Sequence, residues 1–115
     1  MTATAPARQG EVWFASLDPV LGREQAGSRP VLIVSVDQLG TGPSQLTIAV
    51  PLTSRDHGQR IHVKVEPPEG GVRSTSHIMP EQVRTISRER LVERWGTVRP
   101  QTLEQVIYRV SRCTR

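Results

Sequence analysis

Residues 17–34 of this 115-residue chain read LDPVLGREQAGSRPVLIV, and this stretch decides the fold. It runs from the end of one strand through a polar loop with two glycines into an apolar, β-branched strand. The loop ends at Arg29, which precedes Pro30 and is therefore biased toward an extended backbone. Loops held by a rigid scaffold often carry function. The stretch predicts a β-rich scaffold with a cationic, phosphate-handling site where the loop returns to the sheet.

Further strands are predicted on both sides of this loop. The segment after Gly10 alternates apolar and polar residues with a period of two, as a half-buried strand does. Residues 31–36 are almost continuously apolar, which is typical of a strand buried on both faces. Pro51 lies near the end of another predicted strand and favours an edge position or a bulge there. The other predicted strands are residues 46–52, 60–65, 77–79, 83–86 and 95–98.

The one long helical pattern begins at Pro100. Proline is favoured at the first helical position, and the apolar residues that follow recur at helical spacing. They are Leu103, Val106, Ile107 and Val110. A single helical turn is predicted at residues 87–91. Many short strands and one terminal helix indicate a mainly β, antiparallel barrel with a C-terminal helix.

The charge balance favours a polyanionic partner. The formal net charge is +4 and Lys64 is the only lysine, so nearly all of the cations are arginines. The arginine guanidinium is a planar fork of donors that fits phosphate oxygens, which favours nucleic acid over a membrane surface. GC-rich coding is an equally good explanation of this composition.

Size and cysteine content indicate one domain in a reducing compartment. A chain of 12.8 kDa fits a single compact core. Residues 1–8 are expected to form a flexible N-terminal tail and residues 9–115 a single domain. Cys113 is the only cysteine, which excludes an internal disulfide and a cysteine-based zinc cluster. No apolar stretch is long enough for a signal peptide or a membrane span, so a cytoplasmic protein is expected.

Three separated segments carry a family resemblance. They are residues 10–13 with the loop 22–30, residues 51–54, and residues 76–91. Each match is short, but all three segments occur in this chain in the same order as in one known protein family. Over residues 8–112 the chain resembles the MazF/PemK family of toxin ribonucleases.

The resemblance implies a specific activity and specific partners. Such toxins are homodimers of an SH3-like barrel, and an antitoxin of the MazE type inhibits them. They are sequence-specific endoribonucleases that need neither a metal nor a cofactor. They cut single-stranded RNA, including mRNA, by attack of the neighbouring 2'-hydroxyl, which leaves a cyclic phosphate and a 5'-hydroxyl end.

The resemblance also assigns roles to individual residues. Arg29 and Thr53 occupy the catalytic positions, and Glu24 lies in the loop that meets the substrate. The other residues expected to contact RNA are Arg23, Gln25, Ser54, Gln82 and Arg84. Arginine rarely releases its proton, so it is a poor general base. Our hypothesis is that Arg29 stabilises the pentacovalent phosphorane and protonates the leaving oxygen, while Glu24 or a nearby histidine accepts the 2'-hydroxyl proton.

Simpler explanations exist for several of these residues. Arg29 is also placed to pair with Asp18 or Glu24, and Thr53 suits a strand end by its β propensity alone. The histidines His57, His62 and His77 are expected to be ordinary surface or packing residues, without metal-ligand spacing. Trp13 and Trp95 are suited to RNA bases, although core packing or a dimer contact is the stronger expectation.

Two other functions fit the same barrel. One is a non-catalytic toxin that poisons DNA gyrase, and the other is a plain nucleic-acid-binding barrel. Neither needs both an arginine and a hydroxyl at one point, so the pairing of Arg29 with Thr53 favours the ribonuclease.

Overall fold

The structure is a computed structural model, and it describes residues 5–17 and 27–113. In this part of the chain seven strands form one sheet in which every pair is antiparallel. The strands are β1 (Glu11–Leu17), β2 (Gly27–Ile33), β3 (Leu46–Thr53), β4 (Val63–Val65), β5 (Ser76–Ile78), β6 (Arg84–Ser87) and β7 (Leu91–Thr97). The helices are α1 (Asp37–Gly40) and α2 (Pro100–Cys113), and short 3-10 turns span Glu69–Gly71, Pro80–Gln82 and Arg88–Arg90.

The sheet is curled, and its strand order places β3 and β2 at its centre. The order is β4-β5-β3-β2-β1-β7, with β6 also paired to β3. Strand β3 therefore pairs with β6 along its first half and with β5 at its end. A mainly β, antiparallel architecture with a C-terminal helix is what the sequence predicts.

Both faces of the central strands are buried. Alternate residues of a strand point to opposite faces, and in β2 Leu32 joins one apolar cluster while Val31 and Ile33 join another. The first cluster includes Val106 of α2, so the helix covers that face of the sheet. The expectation that this apolar run is buried on both faces is therefore confirmed for residues 31–33.

The edge position predicted for Pro51 is wrong. Pro51 is buried in β3, across from Val31 of β2. Its carbonyl accepts a hydrogen bond from the backbone N–H of Met79. On that edge of β3, residues 46–49 pair with β6 and residues 52–53 pair with β5, so Pro51 lies between the two pairings. The N–H that proline lacks would point to this same edge. Proline is tolerated inside this sheet because it lies where the ladder changes partner.

Helix α2 begins at Pro100, as predicted, and Glu69 holds its first turn. The Glu69 carboxylate accepts hydrogen bonds from the backbone and side chain of Arg99 and from the Thr102 hydroxyl. Burial alone would raise the pKa of Glu69, but the hydrogen bonds from Thr102 and Arg99 outweigh it and the pKa is lowered. The turn Glu69–Gly71 is thereby tied to the helix.

The N-terminal segment joins the fold at Ala7. Ala7 belongs to residues 1–8, for which the sequence predicts a tail. It is fully buried, and its N–H donates to the carbonyl of Gly40. The same carbonyl accepts a hydrogen bond from the buried guanidinium of Arg88, which also binds the carbonyl of Gly42. Neither helix in the described ranges has the length and apolarity needed to cross a membrane.

Candidate active site

An open groove lies at the end of the central strands. Its volume is about 370 Å³, and it receives residues from the start of β2, the end of β3 and the segment before β5. Its lining consists of Ser28, Arg29, Pro30, Leu52, Thr53, Ser54, Arg55, Arg73, Ser74, Ser76 and Trp95. Three residues predicted to act on RNA, Arg29, Thr53 and Ser54, are therefore brought together from two strands.

The sheet register brings Arg29 next to Thr53. Strands β2 and β3 are paired with Val31 across from Pro51, and continuing this register toward the groove sets Arg29 across from Thr53. Residues directly across an antiparallel pair share a face, with Cβ atoms about 4.5–5.5 Å apart. Both residues line the groove, so a cation and a hydroxyl that lie more than twenty positions apart in the sequence meet at one site.

The Thr53 hydroxyl is positioned to donate. Its Oγ1 accepts a hydrogen bond of 3.1 Å from the backbone N–H of Arg55, a local turn that fixes the side chain at the strand end. A hydroxyl has one donor and two acceptor sites, so this bond leaves the O–H proton available. Thr53 can therefore donate to an oxygen of a bound ligand.

The groove is strongly cationic. Arg29, Arg55 and Arg73 line it, and no carboxylate is among its described lining residues. Burial lowers the pKa of Arg29, which nevertheless stays charged because a free guanidinium titrates far above neutral pH. A partly buried cation interacts more strongly with an anion than an exposed one does, because less water screens it. The groove suits a phosphodiester.

A β-bulge directs Trp95 into the groove. Val12 pairs with Gly96 and Trp13 pairs with Arg94, so Trp95 is the extra residue of β7 at this point. Its ring stacks on Phe14 with centroids 5.3 Å apart. The guanidinium of Arg73 lies over the ring at 4.4 Å from its centroid, a cation–π contact. Arg73 is thereby held at the groove with most of its side chain exposed.

Gly71 allows the turn at Glu69–Gly71 to pack against the Trp95 backbone, and we expect Gly71→Ala to destabilise the fold. Gly71 has φ +73°, and an added methyl group would overlap the Trp95 carbonyl. Gly58 is the matched control, because it has φ +70° with nothing within 4 Å. Left-handed backbone costs either alanine about 1–2 kcal/mol. Denaturant unfolding should show a larger loss for Gly71→Ala than for Gly58→Ala, and equal losses would contradict the packing.

Gln82 and Arg84 lie outside the groove. Arg84 is across from Ala49, on the same face of β3 as Thr53 but four residues along the strand, which is about 13 Å. Gln82 is exposed on the turn between β5 and β6. Arg23, Glu24 and Gln25 lie outside the described residues.

Sequence reasoning missed two arginines of the groove. Arg55 and Arg73 stand in polar loops without a local motif, and only the closed fold brings them to the groove that Arg29 lines. Trp95 packs against the first apolar cluster, as expected, and it also forms part of the groove wall. Trp13 does lie in the core, with its indole N–H donating to Glu11.

The histidines differ in their partners. His62 has a side chain that is 5% exposed, and its Nε2 lies 2.8 Å from a carboxylate oxygen of Glu81. His57 meets the His62 ring edge-on at 6.0 Å. Within residues 5–17 and 27–113, no group of three or more His, Cys, Asp or Glu residues is arranged to hold a metal ion.

Comparison with known proteins identifies the family to which the chain belongs. A family model described as the PemK-like, MazF-like toxin of type II toxin-antitoxin systems matches residues 8–113. The chain belongs to the PemK/MazF toxin family. It is 36% identical over 89 residues to the endoribonuclease EndoA of Bacillus subtilis, covering 76% of each chain. It is 35% identical over 101 residues to the endoribonuclease MazF of Staphylococcus saprophyticus, covering 86% of this chain and 83% of that protein.

Solved structures of PemK/MazF toxins share the fold. MazF from Deinococcus radiodurans superposes with a TM-score of 0.81 at 24% identity, covering 94% of this chain and 96% of that one. MazF in a MazE–MazF complex from the same organism gives 0.77 at 26% identity, covering 94% and 95%. The family and the fold class predicted from the sequence are therefore confirmed.

Proposed function

We propose that this PemK/MazF toxin is an endoribonuclease that cuts single-stranded RNA in the Arg29 and Thr53 groove. One observation supports the proposal: Arg29 and the donor hydroxyl of Thr53 both line a cationic groove without a described lining carboxylate. Supporting it, the relatives EndoA and MazF are named endoribonucleases. The substrate we propose is cellular mRNA, cut at a short sequence.

The chemistry follows from where charge develops. When the 2'-oxygen attacks phosphorus, negative charge grows on the two non-bridging oxygens. The Arg29 guanidinium and the Thr53 hydroxyl are fixed donors of the kind that stabilise such charge, and they bind it more tightly than they bind the ground state. The 2'-oxygen ends in a cyclic phosphate, and the departing 5'-oxygen gains a proton.

The proposed reaction needs no metal or cofactor, so proton transfers fall to the protein and to water. Glu24 stays our proposed substrate-loop carboxylate, beside Arg23 and Gln25. Ser54 adds a hydroxyl at the groove, and the exposed residues Gln82 and Arg84 stay proposed RNA contacts outside it. Arg29 remains charged, which suits it to stabilising the phosphorane.

The proposed partners follow from the family. One related structure is an endoribonuclease in complex with its cognate antitoxin, and another pairs MazF with MazE. We propose that a MazE-like antitoxin inhibits this chain, that the active form is a homodimer, and that it acts in the cytoplasm where mRNA is found. Exposed apolar residues such as Val92 and Tyr108 offer surface for such contacts.

The gyrase-poisoning alternative is not favoured. The relatives that match most of the chain are named as endoribonucleases, and a non-catalytic poison does not require the Thr53 hydroxyl beside Arg29. A plain nucleic-acid-binding barrel does not require the Thr53 hydroxyl either.

Incubation of the purified chain with a long single-stranded RNA in excess EDTA separates these functions. Discrete cuts at a recurring short sequence are the expected result. Intact RNA, together with stalled gyrase on supercoiled DNA in a parallel reaction, would show the gyrase alternative instead. Intact RNA and unaffected gyrase, with RNA still bound, would leave only the binding barrel.

Arg73 is expected to bind the RNA without taking part in the chemistry. We predict that Arg73→Ala weakens the binding of an uncleavable 2'-O-methyl RNA about tenfold and reduces the salt dependence by about one phosphate contact, since each such contact releases counterions. Filter binding across a range of salt concentrations measures both effects. Arg112→Ala is the control because Arg112 is exposed on the last turn of α2. Equal salt slopes for the two variants would contradict the assignment.

A further inference from the structure

His77 lies directly across from Thr53. Strands β3 and β5 are paired with Thr53 opposite His77 and Leu52 opposite Ile78. Leu52 and Ile78 point into the first apolar cluster, so Thr53 and His77 share the other face of the sheet. At the Cβ spacing of an antiparallel pair, about 4.5–5.5 Å, the imidazole and the hydroxyl are neighbours.

The pair belongs to a row that crosses four strands. Continuing the β2–β3 register places Arg29 on the opposite side of Thr53 from His77, and the β4–β5 register places Lys64 beyond His77. The row therefore presents a guanidinium, a hydroxyl, an imidazole and an ammonium group on one face. His77 is not among the residues that line the groove, but a phosphodiester bound at Thr53 lies one strand away from its imidazole.

The imidazole of His77 is uncommitted in the described part of the chain. No hydrogen bond joins its ring to any residue in these ranges, and the side chain is half-buried. His62 provides the contrast, because its ring is buried and bound to Glu81.

The charges around His77 come from three elements. Lys64 faces it from β4, Arg29 lies one strand further away on β2, and Asp56 and His57 follow the end of β3. The hydrogen bond from the Gly58 N–H lowers the pKa of Asp56, and the positive charges of His77, Lys64 and His57 lower it further. Asp56 thus stays ionised in the loop that follows β3.

We propose that His77 is the general base of the cleavage reaction. Its neutral ring nitrogen accepts the proton of the 2'-hydroxyl as the 2'-oxygen forms its bond to phosphorus. The bond from phosphorus to the 5'-oxygen breaks, and that oxygen takes a proton from water. The imidazolium then returns its proton to solvent, so the products are a 2',3'-cyclic phosphate and a 5'-hydroxyl end, with no net gain or loss of protons.

The assignment rests on the proposed ribonuclease function and is tested by the pH dependence of cleavage. For the wild-type chain, log(kcat/KM) should rise with pH and then level off within the range of imidazole titration, about pH 5–8, because only the neutral ring accepts a proton. His77→Gln should lose this limb and about a hundredfold or more of the rate at pH 7.5. His77→Val, which suits a strand, should behave in the same way.

Binding, folding and a second histidine separate catalysis from structure. Both variants should bind a 2'-O-methyl RNA within about threefold of wild type and unfold in the same cooperative transition. His57→Asn, in the neighbouring loop, should keep both the rate and the pH limb. A His77 variant that cuts at the wild-type rate, or keeps the same limb, overturns the proposal while leaving the ribonuclease function intact. A wild-type chain that cuts no RNA overturns both.

Discussion

Arg29→Ala is expected to reduce RNA cleavage by about a thousandfold or more. The groove contains the partly buried guanidinium of Arg29 together with Thr53, and a positioned arginine contributes about 10³-fold or more to phosphoryl transfer reactions. Arg55 and Arg73 line the same groove but are exposed to water, so they interact less strongly with a bound phosphate. The loss should appear mainly in kcat, since the donor acts on charge that develops in the transition state.

Single-turnover cleavage of a short RNA that contains the mapped site measures this effect. Arg29→Lys keeps the charge but not the planar fork, and it should recover only a small part of the rate. The control is again Arg112→Ala, with the wild-type rate expected. If Arg29→Ala cuts within tenfold of wild type while remaining folded, the phosphate is bound elsewhere.

Arg88→Ala is expected to cause the largest loss of stability among single substitutions at polar residues, about 3–5 kcal/mol. Arg88 is only 5% exposed, and its two terminal nitrogens donate to the carbonyls of Gly40 and Gly42. Hydrogen bonds from a charged group contribute about 1.5–3 kcal/mol each, and truncation also leaves a cavity. The carbonyls of Gly40 and Gly42 would then lose their side-chain link to the turn Arg88–Arg90 that follows β6.

Urea unfolding of Arg88→Ala and Arg88→Lys tests this connection. Lysine offers one ammonium group for two separated carbonyls, so it should recover about half of the lost stability at most. Because the site is remote from the groove, the folded fraction of Arg88→Ala should retain its cleavage rate. A midpoint within 0.5 M of wild type at an unchanged slope, a shift of about 1 kcal/mol or less, would contradict the role assigned to Arg88.

Three elements of the fold were predictable because each has a local signal. Alternation around Val12, the apolar run after Pro30 and the helical spacing after Pro100 correspond to β1, β2 and α2. Pro51 was misjudged because propensity alone does not reveal that β3 exchanges β6 for β5 at that residue. Such exchanges depend on distant segments.

The site was only partly predictable, for the same reason. Arg29 and Thr53 were found through a family resemblance, and their direct apposition emerges from the strand register. His77 was judged an ordinary histidine because nothing in its neighbourhood along the chain marks it, and only the pairing of β3 with β5 sets it beside Thr53. The bulge at Trp95 breaks the alternation from which its orientation would have been read.

The most direct test of the central claim uses two RNA oligonucleotides that differ by one oxygen. One carries a 2'-hydroxyl at the nucleotide before the cut, and the other is 2'-deoxy at that position only. In excess EDTA, we expect cleavage of the first oligonucleotide into a 2',3'-cyclic phosphate and a 5'-hydroxyl end, and no cleavage of the second. Cleavage of both oligonucleotides at the same bond, or a product with a 5'-phosphate, would contradict it.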